Sequence, residues 1–296
     1  MVRGAADGAR GAVRRRLIVV LGPVKRSPRR ECPTMKLTDA QINYFNTFGY
    51  LLFRGLYPPD EMARIVAEAD ALMAKLRPAN QDASEAFGAS QVLEQHPVLS
   101  DMVDDDRVYL PVSQLLGEDF IWGGSEFNYQ GSTTDPTHWW HCDRGDCLDL
   151  PVTWIKCLLY FEPTMRENGS LRVIPGSHKT DWAKQLLPLQ EQKPTTADRL
   201  YGVPAHALPC VAMETQPGDL VTFNQFLFHG VFGKQASRRY LAMKFVERPT
   251  RAEHVRAYER HCQSAADLHE AFVNSSRPRI RKMADGVIEA TKMLSQ

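Results

Sequence analysis

The chain has 296 residues, of which 43% are hydrophobic and 24% charged, the balance of a water-soluble globular protein with a sizeable core. The longest apolar run near its start, Leu17 to Val24, is too short to cross a bilayer, and a disordered chain or a collagen-like fibre is excluded by the same composition. Thirty-six Lys and Arg against 35 Asp and Glu leave a net charge of +1, so no global field recruits nucleic acid or an acidic membrane.

Residues 1–34 hold nine basic residues and two acids, which leaves residues 35–296 net acidic. The segment lacks an amphipathic period and is expected to be a basic, disordered extension, or translated sequence upstream of a natural start at Met35. A targeting peptide is the competing reading. Six cysteines (Cys32, Cys142, Cys147, Cys157, Cys210, Cys262) are scattered without a CxxC pair, so neither a disulfide framework nor a thiolate zinc site is expected. A reducing, cytoplasmic setting fits this usage.

From Met35 the sequence reads as folded. Thr38 and Gln41 form a capping box for a short helix whose apolar stripe is Ile42, Phe45 and Phe48. The run 50–53 predicts a strand, and Pro58-Pro59-Asp60 opens a second helix to about Leu76, with Ile65, Leu72, Met73 and Leu76 on one face. The chain stays helix-leaning to Leu116, and its acidic run Asp104-Asp105-Asp106 reads as a solvated surface, with a metal site as the alternative. After Gly117 short runs rich in aromatic and β-branched residues predict strands over 120–129, 152–161, 171–174, 220–228 and 240–246, punctuated by turns such as Pro217-Gly218-Asp219. Strands at this density without intervening helices point to an antiparallel sandwich or barrel. Helix returns from Thr250, ending in a helix over 280–294. The expectation is one domain over 35–296, mainly β, with a barrel core at about 118–248 and helices flanking it on both sides.

Trp139-Trp140-His141-Cys142-Asp143 carries the first chemical signal. Residues two apart on a strand share a face, so His141 and Asp143 point together and Cys142 away. They supply two ligands of a facial two-His, one-carboxylate site for non-haem Fe(II). A histidine closing an apolar strand at a glycine, His229 in Phe226-Leu227-Phe228-His229-Gly230, supplies the third, 86 residues beyond Asp143. In 237–245, alternation puts Arg238, Tyr240, Ala242 and Lys244 on one face and Arg239, Leu241, Met243 and Phe245 on the other. The second face is apolar enough to lie under helices, so Arg238 should line the barrel, where its guanidinium fork can hold a dicarboxylate such as 2-oxoglutarate. With a one-residue slip Arg239 takes that place.

The run Asn168-Gly169-Ser170-Leu171-Arg172-Val173-Ile174-Pro175-Gly176-Ser177-His178 resembles the hallmark turn and strand of the phytanoyl-CoA dioxygenase family. The order of HxD, this run, the distal His and then Arg is similar to that family's over roughly 36–250. The resemblance implies a double-stranded β-helix (jelly-roll, cupin-like) dioxygenase using Fe(II), 2-oxoglutarate and O2, with His141, Asp143 and His229 on the metal ligands and Arg238 on the co-substrate arginine. Two departures stand out: Val231 occupies a position where many members carry a hydroxyl, and the stretch from His229 to Arg238 is slightly short, which keeps Arg239 open. Asp143 argues against the halogenating relatives, which have a small residue there.

Lys156, in an otherwise apolar strand, needs an anion if buried; it either binds a co-substrate or substrate carboxylate or snorkels from the rim. Asn128 is a further co-substrate candidate. Trp140, His138 and Tyr160 are candidates for the substrate pocket, His178 for a supporting role, and His96, His206, His254, His261 and His269 read as surface or helix residues. The polar loops 131–137 and 191–209 flank the expected barrel mouth and should set specificity. The reaction implied is hydroxylation, or another oxidation, of an unactivated C–H in a small or medium organic metabolite, with release of succinate and CO2. No basic cluster near the motifs demands a coenzyme A phosphate. The competing readings are a zinc-dependent hydrolase on the same barrel and a non-catalytic metal-binding barrel.

Overall fold

A computed structural model describes residues 36–131, 137–143, 152–191, 201–234, 237–261 and 268–293. The basic segment 1–34, Cys32, Cys147, Cys262, Leu294 and much of the two specificity loops lie outside the described residues. Helix α1 (Asp39–Phe48) starts at the expected capping box and ends at Gly49, whose φ of 85° is left-handed. A Cβ on Gly49 would sit 2.7 Å from His178 Nδ1, so glycine serves both the helix stop and the close approach of the turn after the hallmark run. Phe45 is buried, but Phe48 is 40% exposed, contrary to the predicted stripe. Its ring packs on Tyr44 of the same helix, 4.8 Å away, because α1 turns only a narrow face to the core.

Ten strands form two antiparallel sheets among the described residues. The larger runs β1 (Tyr50–Phe53), β8 (Leu220–Asn224), β5 (Trp154–Tyr160), β10 (Arg239–Val246), β3 (Ile121–Tyr129) and β2 (Phe87–Ser90). The smaller runs β4 (His138–His141), β9 (His229–Val231), β6 (Leu171–Val173) and β7 (Val211–Met213). Leu158, Val221 and Ala242 of the larger sheet share one buried cluster with Leu171, Val173 and Val231 of the smaller, so the sheets face each other. The fold is a double-stranded β-helix with helices on either side in sequence. The outer face of the larger sheet, Ile155, Leu159, Leu241, Met243 and Phe245, shares the main core with Ile65 and Leu72 of α2 (Pro59–Leu76), Val108 and Val112 of α4 (Asp106–Leu116) and Met283 and Val287 of α8 (Pro278–Lys292).

Three expectations change. The strand predicted over 220–228 stops at Asn224, whose side chain accepts from Phe226 N at 2.9 Å and whose carbonyl accepts from Leu227 N at 2.9 Å. This side-chain-stabilised turn makes His229 open β9 instead of closing a strand. A helix, α5 (Thr180–Glu191), interrupts the strands and buries Ala183, Leu186 and Leu189 in a second core; its internal Pro188 hid it from the sequence pattern. The acidic run is solvated only in part: Asp106 is exposed, Asp105 half-buried and Asp104 buried. Asp104, 8% exposed, pairs with Arg277, Asp105 caps α4 and pairs with Arg107, and Asp106 pairs with Arg279, so arginines neutralise all three and leave no metal site there.

Candidate metal centre

β4 and β9 are neighbours, and His141 lies directly opposite His229. His141 Nδ1 is 2.8 Å from Trp139 O and His229 Nδ1 is 2.7 Å from Leu227 O. A carbonyl only accepts, so each Nδ1 carries a hydrogen and Nε2 is the atom left to face a metal. Asp143 follows β4 in a turn, its amide donating to Gln225 O at 3.3 Å. Its Oδ1 lies 3.4 Å from His141 Nε2 and 3.8 Å from His229 Nε2. One ligand atom from each of the three residues falls within 4.8 Å of the others. Cys142 turns away, as alternation requires, and joins the second core.

Burial and the facing His141 push the His229 imidazole down to about 3, so it stays neutral and able to ligate at physiological pH. Burial alone would raise the Asp143 carboxyl, but Lys156 and the facing imidazoles hold it well below the usual carboxylate range. Asp143 Oδ2 is buried and accepts no hydrogen bond; Lys156 Nζ stands 3.7 Å from it. Two imidazole nitrogens and one carboxylate oxygen converging on a point fit a divalent metal of the Fe(II) type.

These atoms line a cavity of about 430 Å³ between the sheets, together with Asn128, Lys156, Tyr160, His138 and Arg238. The strand register arranges its floor in rows. Asn128, Tyr240 and Tyr160 lie side by side across β3, β10 and β5; Glu126, Ala242 and Leu158 form the next row, where the small Ala242 leaves room above it. Arg238 immediately precedes β10 and is 8% exposed. Its guanidinium lies 4.7 Å from the Tyr160 ring centre and 5.2 Å from that of Tyr240, and Nη2 donates to the Tyr160 hydroxyl at 3.1 Å. No carboxylate of the described residues pairs with it, and its buried Nε–H has no partner. Arg239 takes the opposite face, where Asp70 and Glu162 bind it at 2.6 Å each; the one-residue slip does not occur.

Lys156 neither snorkels at the rim nor waits for a ligand anion. It pairs with Glu126 at 3.0 Å, and Glu126 also accepts from Lys244 at 2.8 Å. Burial opposes ionisation of Glu126, yet the two ammonium groups outweigh it and hold its carboxyl at about 2. Trp140 is not a pocket residue. It is 1% exposed, packs on Phe232 in the second core and donates from Nε1 to Ala205 O at 2.8 Å. Alternation from His141 already puts it on the face of Cys142; the irregularity in β4 between His138 and His141 brings His138 to the cavity as well, its ring stacked 4.3 Å from that of His141. His254 is a helix residue as expected, buried in α6 (Ala252–His261), whereas His96 pairs with Glu68 and His269 caps α7 (Glu270–Val273). Glu126 escaped the sequence reading, although it stands two residues before Asn128 and alternation puts both on one face.

The model of the phytanoyl-CoA dioxygenase family (PhyH) matches residues 45–239. The chain belongs to this family. As a member it is a 2-oxoglutarate-dependent non-haem iron dioxygenase. Among curated proteins it resembles the ectoine dioxygenase of Sphingopyxis alaskensis, 26% identical over 225 residues that cover 67% of this chain and 71% of the relative. Among solved structures, HygX from Streptomyces hygroscopicus, determined with nickel and 2-oxoglutarate bound, aligns with a TM-score of 0.56 and 19% identity over 71% of this chain and 87% of HygX. EctD from S. alaskensis with bound Fe aligns at 0.55 and 21%, over 75% of this chain and 81% of EctD. These structural likenesses establish the shared fold. No helix among the described residues is long and apolar enough to cross a membrane.

Proposed function

We propose that this dioxygenase hydroxylates an unactivated C–H of a small or medium organic metabolite, with His141, Asp143 and His229 holding Fe(II) and Arg238 holding the distal carboxylate of 2-oxoglutarate. The observation that carries the reading is the buried, carboxylate-free guanidinium of Arg238 in the same cavity as three converging metal donors. A buried cation without an anion is costly, and a dicarboxylate reaching from the metal to Arg238 removes that cost. Bound there, iron, 2-oxoglutarate and O2 supply the oxidation of the C–H bond, with succinate and CO2 as co-products.

The protein's own residues bind, orient and keep water out. The Trp139 and Leu227 carbonyls fix both imidazoles with Nε2 toward Asp143, and such outer partners raise ligand basicity. Lys156 faces Asp143 Oδ2 and leaves Oδ1 toward the histidines. Leu158, Leu171, Phe223 and Val231 give the cavity a dry wall. A space of about 430 Å³ shared by co-substrate and substrate bounds the substrate's size, and the relatives' ectoine-dioxygenase name favours a compact polar metabolite. The reading further takes residues 35–296 as one domain working in the cytoplasm. Anaerobic addition of Fe(II) and 2-oxoglutarate is expected to produce the weak visible band of a metal-bound keto acid. Succinate release across a metabolite panel, absent in His141→Ala, identifies the substrate. No band and no succinate with any compound would reject the reading.

A further inference from the structure

Lys156 lines the cavity from the inner face of β5 with only 14% of its side chain exposed, and an ammonium so far from water requires anions. It has two, Glu126 Oε1 at 3.0 Å and Asp143 Oδ2 at 3.7 Å. Glu126 divides its oxygens, because Oε2 accepts from Lys244 Nζ at 2.8 Å and leaves Oε1 to Lys156. Strand register fixes this arrangement. Lys244 lies directly opposite Lys156 across β10 and β5, where like charges repel, and Glu126 on β3 offsets that repulsion by binding both. Lys244, Glu126, Lys156 and Asp143 thus form a line of alternating charge that ends at the metal donors.

A carboxylate can give a metal one oxygen or both. Two imidazoles and one oxygen leave positions of an Fe(II) site open, and a second aspartate oxygen would occupy one of them. The surroundings of Asp143 set its two oxygens apart. Oδ1 lies 3.4 Å from His141 Nε2 and 3.8 Å from His229 Nε2. Oδ2 is buried, accepts no hydrogen bond and has the Lys156 ammonium as its ion-pair partner among the described residues. A fixed cation there stabilises the charge on Oδ2 and repels a divalent ion drawn toward that oxygen. With little water in the site, the force is weakly screened. The bond to Glu126 anchors the ammonium at Oδ2 before any ligand arrives.

We infer that Lys156, anchored by Glu126 and Lys244, is a positioning residue that reserves Asp143 Oδ2, makes the aspartate a one-oxygen metal ligand and so keeps a metal position open for the co-substrate. The inference rests on the metal-site reading given under Proposed function and deepens it, because that reading holds whether Asp143 binds through one oxygen or two. Lys156 acts through Asp143 and touches neither the metal nor 2-oxoglutarate.

The test is anaerobic difference infrared spectroscopy, Fe(II)-loaded minus metal-free, on the full chain carrying isotope-labelled aspartate carboxylates. The antisymmetric and symmetric carboxylate stretches lie far apart when one oxygen binds a metal and close together when both do. Wild type is expected to show the wide separation. Lys156→Met, which keeps the side chain's length and removes its charge, is expected to show the narrow one. In calorimetric titration the same variant should bind Fe(II) at least as tightly as wild type. It should bind 2-oxoglutarate about tenfold more weakly, a usual scale for coupling between two ligands. Lys156→Arg, which keeps a cation, should retain the wide separation, as should Lys244→Met, which leaves the Lys156–Glu126 pair in place. A narrow separation in wild type would overturn the inference without any variant. So would a wide separation in Lys156→Met, because weaker 2-oxoglutarate binding with unchanged ligation would put Lys156 in contact with the co-substrate itself. A narrow separation in Lys244→Met would also overturn it, by assigning the effect to total charge. Failure of wild type to bind Fe(II) at all would instead remove the metal-site reading, and the inference with it.

Discussion

The two faces of the six-stranded sheet are built from the same strands and do opposite work. On the outer face Ile155, Leu159, Leu241, Met243 and Phe245 are all fully buried and packed in the main core with α2, α4 and α8. On the inner face the intervening residues are Glu126, Asn128, Lys156, Tyr160 and Tyr240, arranged around a cavity. Outer-face contacts are complete within the chain and stabilise it. Inner-face groups are partly satisfied by one another, as in Lys156–Glu126–Lys244, and partly unsatisfied, as at Arg238 Nε and Asp143 Oδ2. A period of two residues is enough to separate fold from chemistry along one strand. Those two unsatisfied groups lie in the cavity, where ligands belong, as expected of a preorganised site.

This division can be broken from either side. The largest effect is expected from the metal donors: Asp143→Ala or His229→Ala should lower iron affinity by more than about a hundredfold, beyond what loss of an outer partner costs, and abolish turnover. Equilibrium metal titration and succinate assay measure both. Retained iron binding in either variant would show that the trio is not the metal site.

An outer-face deletion should reverse the pattern. Phe245→Ala, at a fully buried side chain packed edge-on to Trp122 at 5.3 Å, should cost about 3–5 kcal/mol of stability in denaturant unfolding. The fraction that remains folded should still bind iron normally.

Glu126 tests the boundary between the two faces. Glu126→Gln removes the anion between two ammonium groups and should cost on the order of 3 kcal/mol, as for one partner lost from a buried ion pair. The sign with pH follows from a folded carboxyl held at about 2 against its ordinary 4.5. The contribution is complete above the ordinary value and is lost as pH falls through the interval down to about 2. Wild type should therefore lose stability across that interval, and Glu126→Gln should lack this component; parallel acid-unfolding curves would contradict it.

The smallest effect separates adjacent arginines. Arg239→Ala removes half-exposed pairs with Asp70 and Glu162 and should cost about 1 kcal/mol or less without changing 2-oxoglutarate affinity. Arg238→Ala should weaken that affinity tenfold or more by the same titration, since a charge-assisted fork is lost.

Much of this division can be read along the chain. Alternation from Arg238 to Phe245 separates a polar face from an apolar one and favours Arg238 over Arg239, while the pairing of Arg239 with Asp70 and Glu162 on the opposite face decides between them. The capping box at Thr38, the second helix and the core strands follow from local preferences of the same kind. The reading fails where local rules compete. Asn224 ends a strand that its apolar continuation to Phe228 would extend, because a side-chain turn satisfies the backbone first. His138 joins His141 in the cavity because β4 is irregular between them, and a pattern of two cannot register one irregular residue. Pro188 masks a helix whose packing against the second core outweighs the penalty.

What the sequence by itself determined is the set of chemical groups and the face each would occupy: two histidines, an aspartate, an arginine entering a strand and the family to which their order belongs. Tertiary structure alone decided the partners. His141 meets His229 only because β4 and β9 are neighbours in one sheet, and Lys156 meets Glu126 only across the width of another. Tyr160 meets Arg238 through the pairing of β5 with β10. Side-chain direction is a property of the local backbone, whereas distance between residues far apart in the chain is set by sheet register, and that is fixed only when the whole hydrophobic core closes.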